Sequence, residues 1–522
     1  MHTTRRWFLQ TMAGTASLGL ADVTSLRRLG AFAAEQPAPG SDKVRFGPDI
    51  EPIVRLIEET PRAQCVPVLI EQLRLGLPYR RFLAGVFFAG IRRLNSNHDV
   101  YKIQPVHQVS MDVRPEERLL PLFWAVDGFK QRQEDFPNPP LTELQGHLPS
   151  AEQAPAELAS AIERADFDAA ERALVVQARH LGARQTMEQL WLYGCRNGGQ
   201  GGHAAIVVSS CLRALETIGW QHAEPVLRFV LRDVYSLGGQ GKPDRYFLPN
   251  VARVDRHLDK LPTSWPAGGG DRAATTELFG LLRAGKADQG CEQAIQQLLS
   301  GIQAQSIWDA VHLAAAELMV RHSSGWGVAS RPLHSNTSAS ALHYAFRTCD
   351  SARTRLLVLL QAVAWMGDKT NAELSDKNLR DIQITELPRV TLPATSEEAV
   401  AEVFSLLPSR HYHWDAKAKT AVTTYGNRAD ADEACRKVFV LAKERPEVVP
   451  LYVQAAQGWM CQKATGDAHD YKFLTAILED AQWVSPEWRP HLLAASVHFF
   501  HGKQSLDHPV VQQARDSLQK IG

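Results

Sequence analysis

The sequence predicts an all-α protein, a multi-helix array or bundle of irregular helix pairs with few or no strands. Two observations carry that expectation. Apolar residues recur at three- and four-residue intervals through most of the chain, as in "IEPIVRLIEET", "FLAGVFFAGIRRL", "ERLLPLFWAVDGFKQRQ" and "EEAVAEVFSLL". Two-residue alternation is rare, and "RVTLPAT" near Val390 is the best short strand candidate.

The chain opens with "MHTTRRWFLQTMAGTASLGL", a twin-arginine core followed by a segment too short and too rich in Gly and Ala to span a bilayer. Residues 1–33 therefore read as a twin-arginine signal peptide, cleaved near Ala33 or Ala34. The expected partner is the twin-arginine translocation machinery and the expected location the periplasm, or export by that route. Such signals resemble those of proteins that fold before crossing, often around a cofactor.

After it come an N-terminal helical region (34–136), a Pro-rich linker or loop (137–158), a central helical region with the candidate site (159–370), a loop (371–398) and a C-terminal helical region (399–522). "LPTSWPAGGGDRAATTE" is further loop material. The densest apolar run, Leu356 to Met366, reads as a buried helix, so no transmembrane segment is expected in the mature chain. Lys plus Arg and Asp plus Glu both number 57, without basic runs beyond the signal, which argues against nucleic acid as a partner. Seven scattered cysteines with no C-x-x-C support neither a disulfide framework nor a zinc ribbon.

"RNGGQGGHAAIVV", Arg196 to Val208, matches the glycine pattern of dinucleotide loops, but a helical pattern precedes it where that motif needs a strand. The glycines read as helix-closing residues, as in the second Gly-Gly-Gln-Gly string at "SLGGQGKPDR". His203 falls in the first turn of the next helix, whose dipole keeps imidazole neutral: either a metal ligand or a ring bonded to a loop carbonyl.

"SIWDAVHLAAAELMV" places Asp309, His312 and Glu317 on one helical arc, either the solvated face of an amphipathic helix or a carboxylate and imidazole cluster inside a bundle. In "RPLHSNTSASALHYAFR", Asn336 or Thr337 is the expected N-cap of a helix running to Met366, with His334 in the loop before it and His343 in its second turn. Antiparallel packing of these helices would gather Asp309, His312, His334 and His343. Two histidines with one carboxylate suit non-haem iron, so a transition metal such as iron is the candidate cofactor. Glu317 and Tyr344 are the candidate proton-moving groups.

Smaller clusters at His98, Tyr101, Lys102 and His107, at His411, His413 and Asp415, and at His469, Asp470, Tyr471 and Lys472 flank helices and could line a cleft. His498 and His501 suit a helix terminus. No nucleophile elbow, Walker loop, EF-hand loop or papain-like cysteine signature is present.

The strings "ALETIGWQHAEPVLR", "IWDAVHLAAAEL", "LHSNTSASALHYAFR" and "HDYKFLTAILED" resemble a group of twin-arginine-exported bacterial helical proteins, which implies export and a helical fold but no particular activity. "LHSNTSASALHYAFR" is also similar to questin oxidase-like proteins, which implies flavin-independent Baeyer-Villiger oxidation. The favoured expectation is a metal- or cofactor-dependent oxidoreductase acting on a small organic molecule. The alternative is a non-catalytic helical scaffold or binding protein of the cell envelope, with Trp483 and Trp488 as surface anchors.

Overall fold

A computed structural model describes residues 44–93, 97–135, 140–322, 326–376, 379–415, 420–425 and 428–519. The signal peptide expected at 1–33 lies outside the described residues.

Helices account for nearly all regular structure. The first group is α1 (Glu51–Glu59), α2 (Arg62–Arg74), α3 (Tyr79–Arg93), α4 (Asn97–Tyr101), α5 (Ile103–Asp112) and α6 (Leu120–Asp135). Next come α7 (Ala154–Glu163), α8 (Phe167–His180), α9 (Ala183–Gly194), α10 (His203–Ile218), α11 (Ala223–Leu237) and α12 (Phe247–His257). The middle of the chain forms α13 (Arg272–Arg283), α14 (Ala287–Leu299), α15 (Ala304–Arg321), α16 (Trp326–Thr348), α17 (Ala352–Glu373) and α18 (Ser396–Leu406). A hairpin, β1 (Arg410–Asp415) and β2 (Thr420–Tyr425), precedes α19 (Arg428–Glu444), α20 (Val449–Lys463), α21 (His469–Trp483), α22 (Arg489–Ser496) and α23 (Pro509–Gln519).

The fold is thus all-α apart from one antiparallel ribbon, in which His411 pairs with Thr424 and His413 with Val422. "RVTLPAT" is not a strand: Pro388 precedes it and Pro393 lies within it, and neither has the N–H a ladder needs. Its carbonyls accept from side chains instead, Thr391 from Lys437 Nζ at 3.3 Å and Ala394 from Arg445.

One apolar core runs from Val44 to Ala514 and is shared by the regions 34–136, 159–370 and 399–522. Helix α23 returns to pack on α2 and α6, closing the C-terminal end onto the N-terminal one. No helix among the described residues is long and apolar enough to cross a membrane. All seven cysteines are buried.

At the centre stands α16, packed by α10, α15, α17 and α21. Four neighbours fit because its middle is built from small polar residues, "SNTSAS", whose hydroxyls fold back onto the helix itself: Ser335 Oγ donates to the Arg331 carbonyl at 3.1 Å and Thr337 Oγ1 to that of Leu333 at 3.3 Å. This corrects the expected boundary. Asn336 does not cap a helix; its Nδ2 bonds the carbonyls of Ala315 and Pro332, so α16 runs continuously and carries both His334 and His343. The next helix, α17, starts instead at the Ser351 cap, whose Oγ accepts from Thr354 N. Helix α15 is buried from Ser306 to Arg321, which removes the solvated-face reading of Asp309, His312 and Glu317.

Candidate metal centre

Four histidines from four separate helices converge beside α16. His98 comes from the short α4, His203 opens α10, His334 lies inside α16, and His469 opens α21. Their Nε2 atoms face one another: His98 to His203 is 3.3 Å, His203 to His334 is 3.2 Å and His334 to His469 is 3.1 Å. The ring centroids of His98 and His469 are 4.9 Å apart, which closes the ring of imidazoles. One nitrogen from each lies within 4.8 Å of all the others. A tetrahedral ion with bonds of ~2.0–2.1 Å would hold its nitrogen ligands about 3.3 Å apart, so the spacing is that of a coordination shell.

The glycine bend explains how His203 reaches this position. Gly201 and Gly202 both have left-handed φ, +76° and +83°. A Cβ on Gly201 would lie 2.8 Å from His334 Cβ, and one on Gly202 would lie 2.8 Å from Ser338 Cβ. Only glycine lets this backbone press against α16. Lys369 on α17 fastens the contact, donating from Nζ to the carbonyls of Gly201 and His334, each at 3.1 Å, and to Ser338 Oγ at 2.5 Å.

Two outer contacts set the tautomers. His203 Nδ1 meets the Gln200 carbonyl, which can only accept, so this nitrogen carries the proton and Nε2 offers its lone pair inward. His469 Nδ1 meets the Asp467 carboxylate at 2.5 Å, with the same result. A carboxylate or carbonyl behind the ring is the usual support of a metal-bound histidine. Burial, and then the positive charge of Lys472, holds His98 well below the ordinary histidine range and His203 down to about 3. The same two causes lower His469, against the pull of Asp467. These rings are neutral and fit to bind metal at ordinary pH.

Beside the ring stand two buried polar atoms with no hydrogen-bond partner among the described residues, Tyr101 Oη and Lys472 Nζ. The ammonium sits over the Tyr101 ring, 5.0 Å from its centroid, and that ring is 5.1 Å from the His98 ring. Burial lowers Lys472 to about 7.

The structure divides the site expected from the sequence. His203 and His334 join the four-histidine ring. His312 and His343 form a second group with Asp480 of α21: His312 Nε2 is 2.9 Å from His343 Nδ1, and His312 Nδ1 is 3.4 Å from Asp480. Trp308 stacks on His343 at 4.3 Å. The cause of the split is helical geometry: nine residues separate His334 and His343 on α16, about two and a half turns, so they face opposite sides.

Asp309 belongs to neither group. Its carboxylate accepts from Ser485 N at 2.9 Å and Ser485 Oγ at 2.6 Å, holding the loop before α22. Glu317 pairs with Arg283 at 2.7 Å and accepts from Ile384 N at 3.0 Å, which makes it an anchor for the 371–398 segment and not a proton shuttle at either histidine group. Tyr344 donates to Glu216 at 2.8 Å, and Arg213 lies over its ring at 3.9 Å. A third group, His322, Glu373 and Asp376, is tied by a hydrogen bond of 2.6 Å between His322 Nε2 and Glu373, with Arg331 adding an ion pair of 3.2 Å to the same carboxylate.

The sequence pointed to His98 and His469 only as polar residues near helix ends. The one local clue was Asp467-x-His469, a carboxylate placed to back an imidazole at the start of a helix. No protein-family model, curated protein or solved structure matches the chain.

Proposed function

We propose that this chain is an exported metal-dependent oxidoreductase acting on a small organic molecule, with His98, His203, His334 and His469 as the ligands of a redox-active transition metal such as iron. The convergence of four imidazoles, two of them aimed by Gln200 and Asp467, is the observation that carries this reading. Imidazole donors suit iron, copper, zinc and nickel, whereas calcium and magnesium prefer oxygen. The two-histidine, one-carboxylate set expected from the sequence gives way to an all-nitrogen set, with Asp467 behind His469 in place of a carboxylate at the metal. The metal would supply redox or Lewis-acid chemistry. Around it the chain supplies two buried polar groups without a hydrogen-bond partner among the described residues, Tyr101 Oη and Lys472 Nζ. Such groups can bind a substrate oxygen or hold a proton.

Metal analysis of protein purified from its own host tests the reading. One equivalent of iron or copper per chain, lost in His334→Ala, is expected. Less than a tenth of an equivalent of any transition metal removes it. Export by the twin-arginine machinery is part of the proposal, and Arg5→Lys with Arg6→Lys is expected to leave the protein in the cytoplasm.

A second reading draws on the shell itself. Four protein ligands fill a tetrahedral zinc site, the form of structural centres, and this favours a non-catalytic scaffold. Of its expected anchors, Trp483 is 43% exposed beneath Arg347, but Trp488 is buried. One equivalent of zinc with no redox response would select this reading.

A further inference from the structure

Helices α16 and α21 run side by side in the same direction, and each carries a metal-ligating side chain at two levels. At the first level His334 of α16 and His469 of α21 meet in the four-histidine ring. His343 follows His334 by nine residues and Asp480 follows His469 by eleven, which at 1.5 Å per residue is about 13–16 Å further along. There the two helices meet a second time, and His312 of α15 joins them.

One ligand atom from each of His312, His343 and Asp480 lies within 4.8 Å of the other two. His312 stands between its partners, with Nε2 2.9 Å from His343 Nδ1 and Nδ1 3.4 Å from Asp480. The second spacing exceeds the ~2.7–2.9 Å of a charge-assisted hydrogen bond. Asp480 is only 4% exposed, and no lysine or arginine among the described residues forms an ion pair with it. Arg213 and Arg347 are bonded to Glu479 instead, at 2.7, 3.1 and 2.9 Å. Ser340 offers Asp480 a hydroxyl, which brings no charge. A carboxylate taken so far from water is ordinarily paired with a cation or bound to a metal. Trp308 fixes the plane of His343, lying 4.3 Å from it at an angle of 9°. On another side the Trp483 ring, half-exposed, is 6.4 Å from the His343 ring, so the group lies close beneath the surface.

We infer that His312, His343 and Asp480 bind a second metal ion, a divalent first-row metal such as iron(II), and leave coordination positions open for a small ligand. Two histidines and one carboxylate are the donor set of non-haem iron(II). Three protein ligands leave room that the four ligands of the ring do not. The separation along α16 and α21 excludes a bridged pair, whose ions lie ~3.5–4 Å apart, so the two centres are independent. This second site goes beyond the reading of the ring and stands without it.

The test uses the full chain as purified, titrated without oxygen with cobalt(II), which occupies iron(II) sites and whose visible absorption reports its coordination number. Saturable binding of one cobalt per chain with the weak absorption of a five- or six-coordinate ion is expected; a tetrahedral ion in the ring would absorb strongly. His343→Ala and Asp480→Asn are each expected to weaken the weakly absorbing site at least tenfold, with folding checked by circular dichroism. His107→Ala, which removes a histidine bonded to Tyr79 at 2.9 Å, is expected to bind like the parent. His334→Ala is expected to lose the metal of the ring and keep the weakly absorbing cobalt. A His334→Ala chain that carries as much metal as the parent would overturn the ring and leave the second site standing. No weakly absorbing cobalt in the parent, or equal binding of it by either His343→Ala or Asp480→Asn, overturns the inference and leaves the three side chains as a hydrogen-bonded group.

Discussion

Gly201 and His334 lie in backbone-to-side-chain contact so close that one methyl group on the glycine would stand 2.8 Å from His334 Cβ. The bend before α10 is therefore a spacer of minimum thickness, which sets how near His203 comes to α16.

Gly201→Ala should break that spacing. The left-handed φ of +76° costs an alanine about 1 kcal/mol or more, and the clash adds to it. Thermal melting should show destabilisation of ~2–4 kcal/mol, and metal titration at least a tenfold loss of affinity. Gly280→Ala is the control. Its Cβ would meet nothing within 4 Å in the middle of α13, so it should be neutral or stabilise by ~0.5–1 kcal/mol.

Asp467→Asn keeps the shape of the residue behind His469 and removes its charge. Metal affinity should fall about 10–100-fold with little change in the melting of the metal-free protein. His98→Ala should abolish stoichiometric binding. Saturating metal should raise the melting temperature of the parent chain but not of His98→Ala, since a ligand that binds only the folded state stabilises it. An equal rise in both would show that the ring is not the site.

Lys472→Met should stabilise the metal-free protein at pH 7. Burial lowers the folded-state pKa of Lys472 to about 7, below its ordinary value of 10.5. Between those values the unfolded chain binds the extra proton, so the parent gains stability as pH rises from about 7 to 10.5. The variant lacks this slope, and its advantage, on the order of a few kcal/mol at neutral pH and below, should shrink toward pH 10.5. Denaturant titrations across that range decide the matter. A constant difference would mean that the ammonium is not held in a dry site.

Glu479 gives the opposite sign. Burial raises its carboxyl, but Arg213 and then Arg347 outweigh burial and hold it below its ordinary value of 4.5. A depressed carboxylate adds stability above the unfolded-state pKa and loses it as pH falls through the folded-state one. Glu479→Gln should therefore destabilise by about 1–3 kcal/mol at pH 7, where it leaves two half-buried guanidiniums without their carboxylate, and the gap should narrow progressively below about pH 4.5.

The helices were legible because each carries its own period, and the glycine string was legible as a bend. What hid the centre was distance along the chain. His98 and His469 come from near opposite ends, and each had only its neighbours to speak for it. On α15, the angular positions of Asp309, His312 and Glu317 were sound, yet a period says nothing of what stands opposite. The three meet Ser485, His343 and Arg283, on different elements. The α16 boundary failed for a related reason: "SNTSAS" has the residues of a cap, and only dense packing by four neighbours makes a helix interior of it.

The seven buried thiols carry a consequence for biogenesis. Once packed, the protein presents no thiol to an oxidant, since every cysteine is shielded from solvent. An unfolded chain entering an oxidising space would offer all seven at once to random cross-linking, with no native pairing to guide repair. Passage into such a space is safe for this sequence only in finished form.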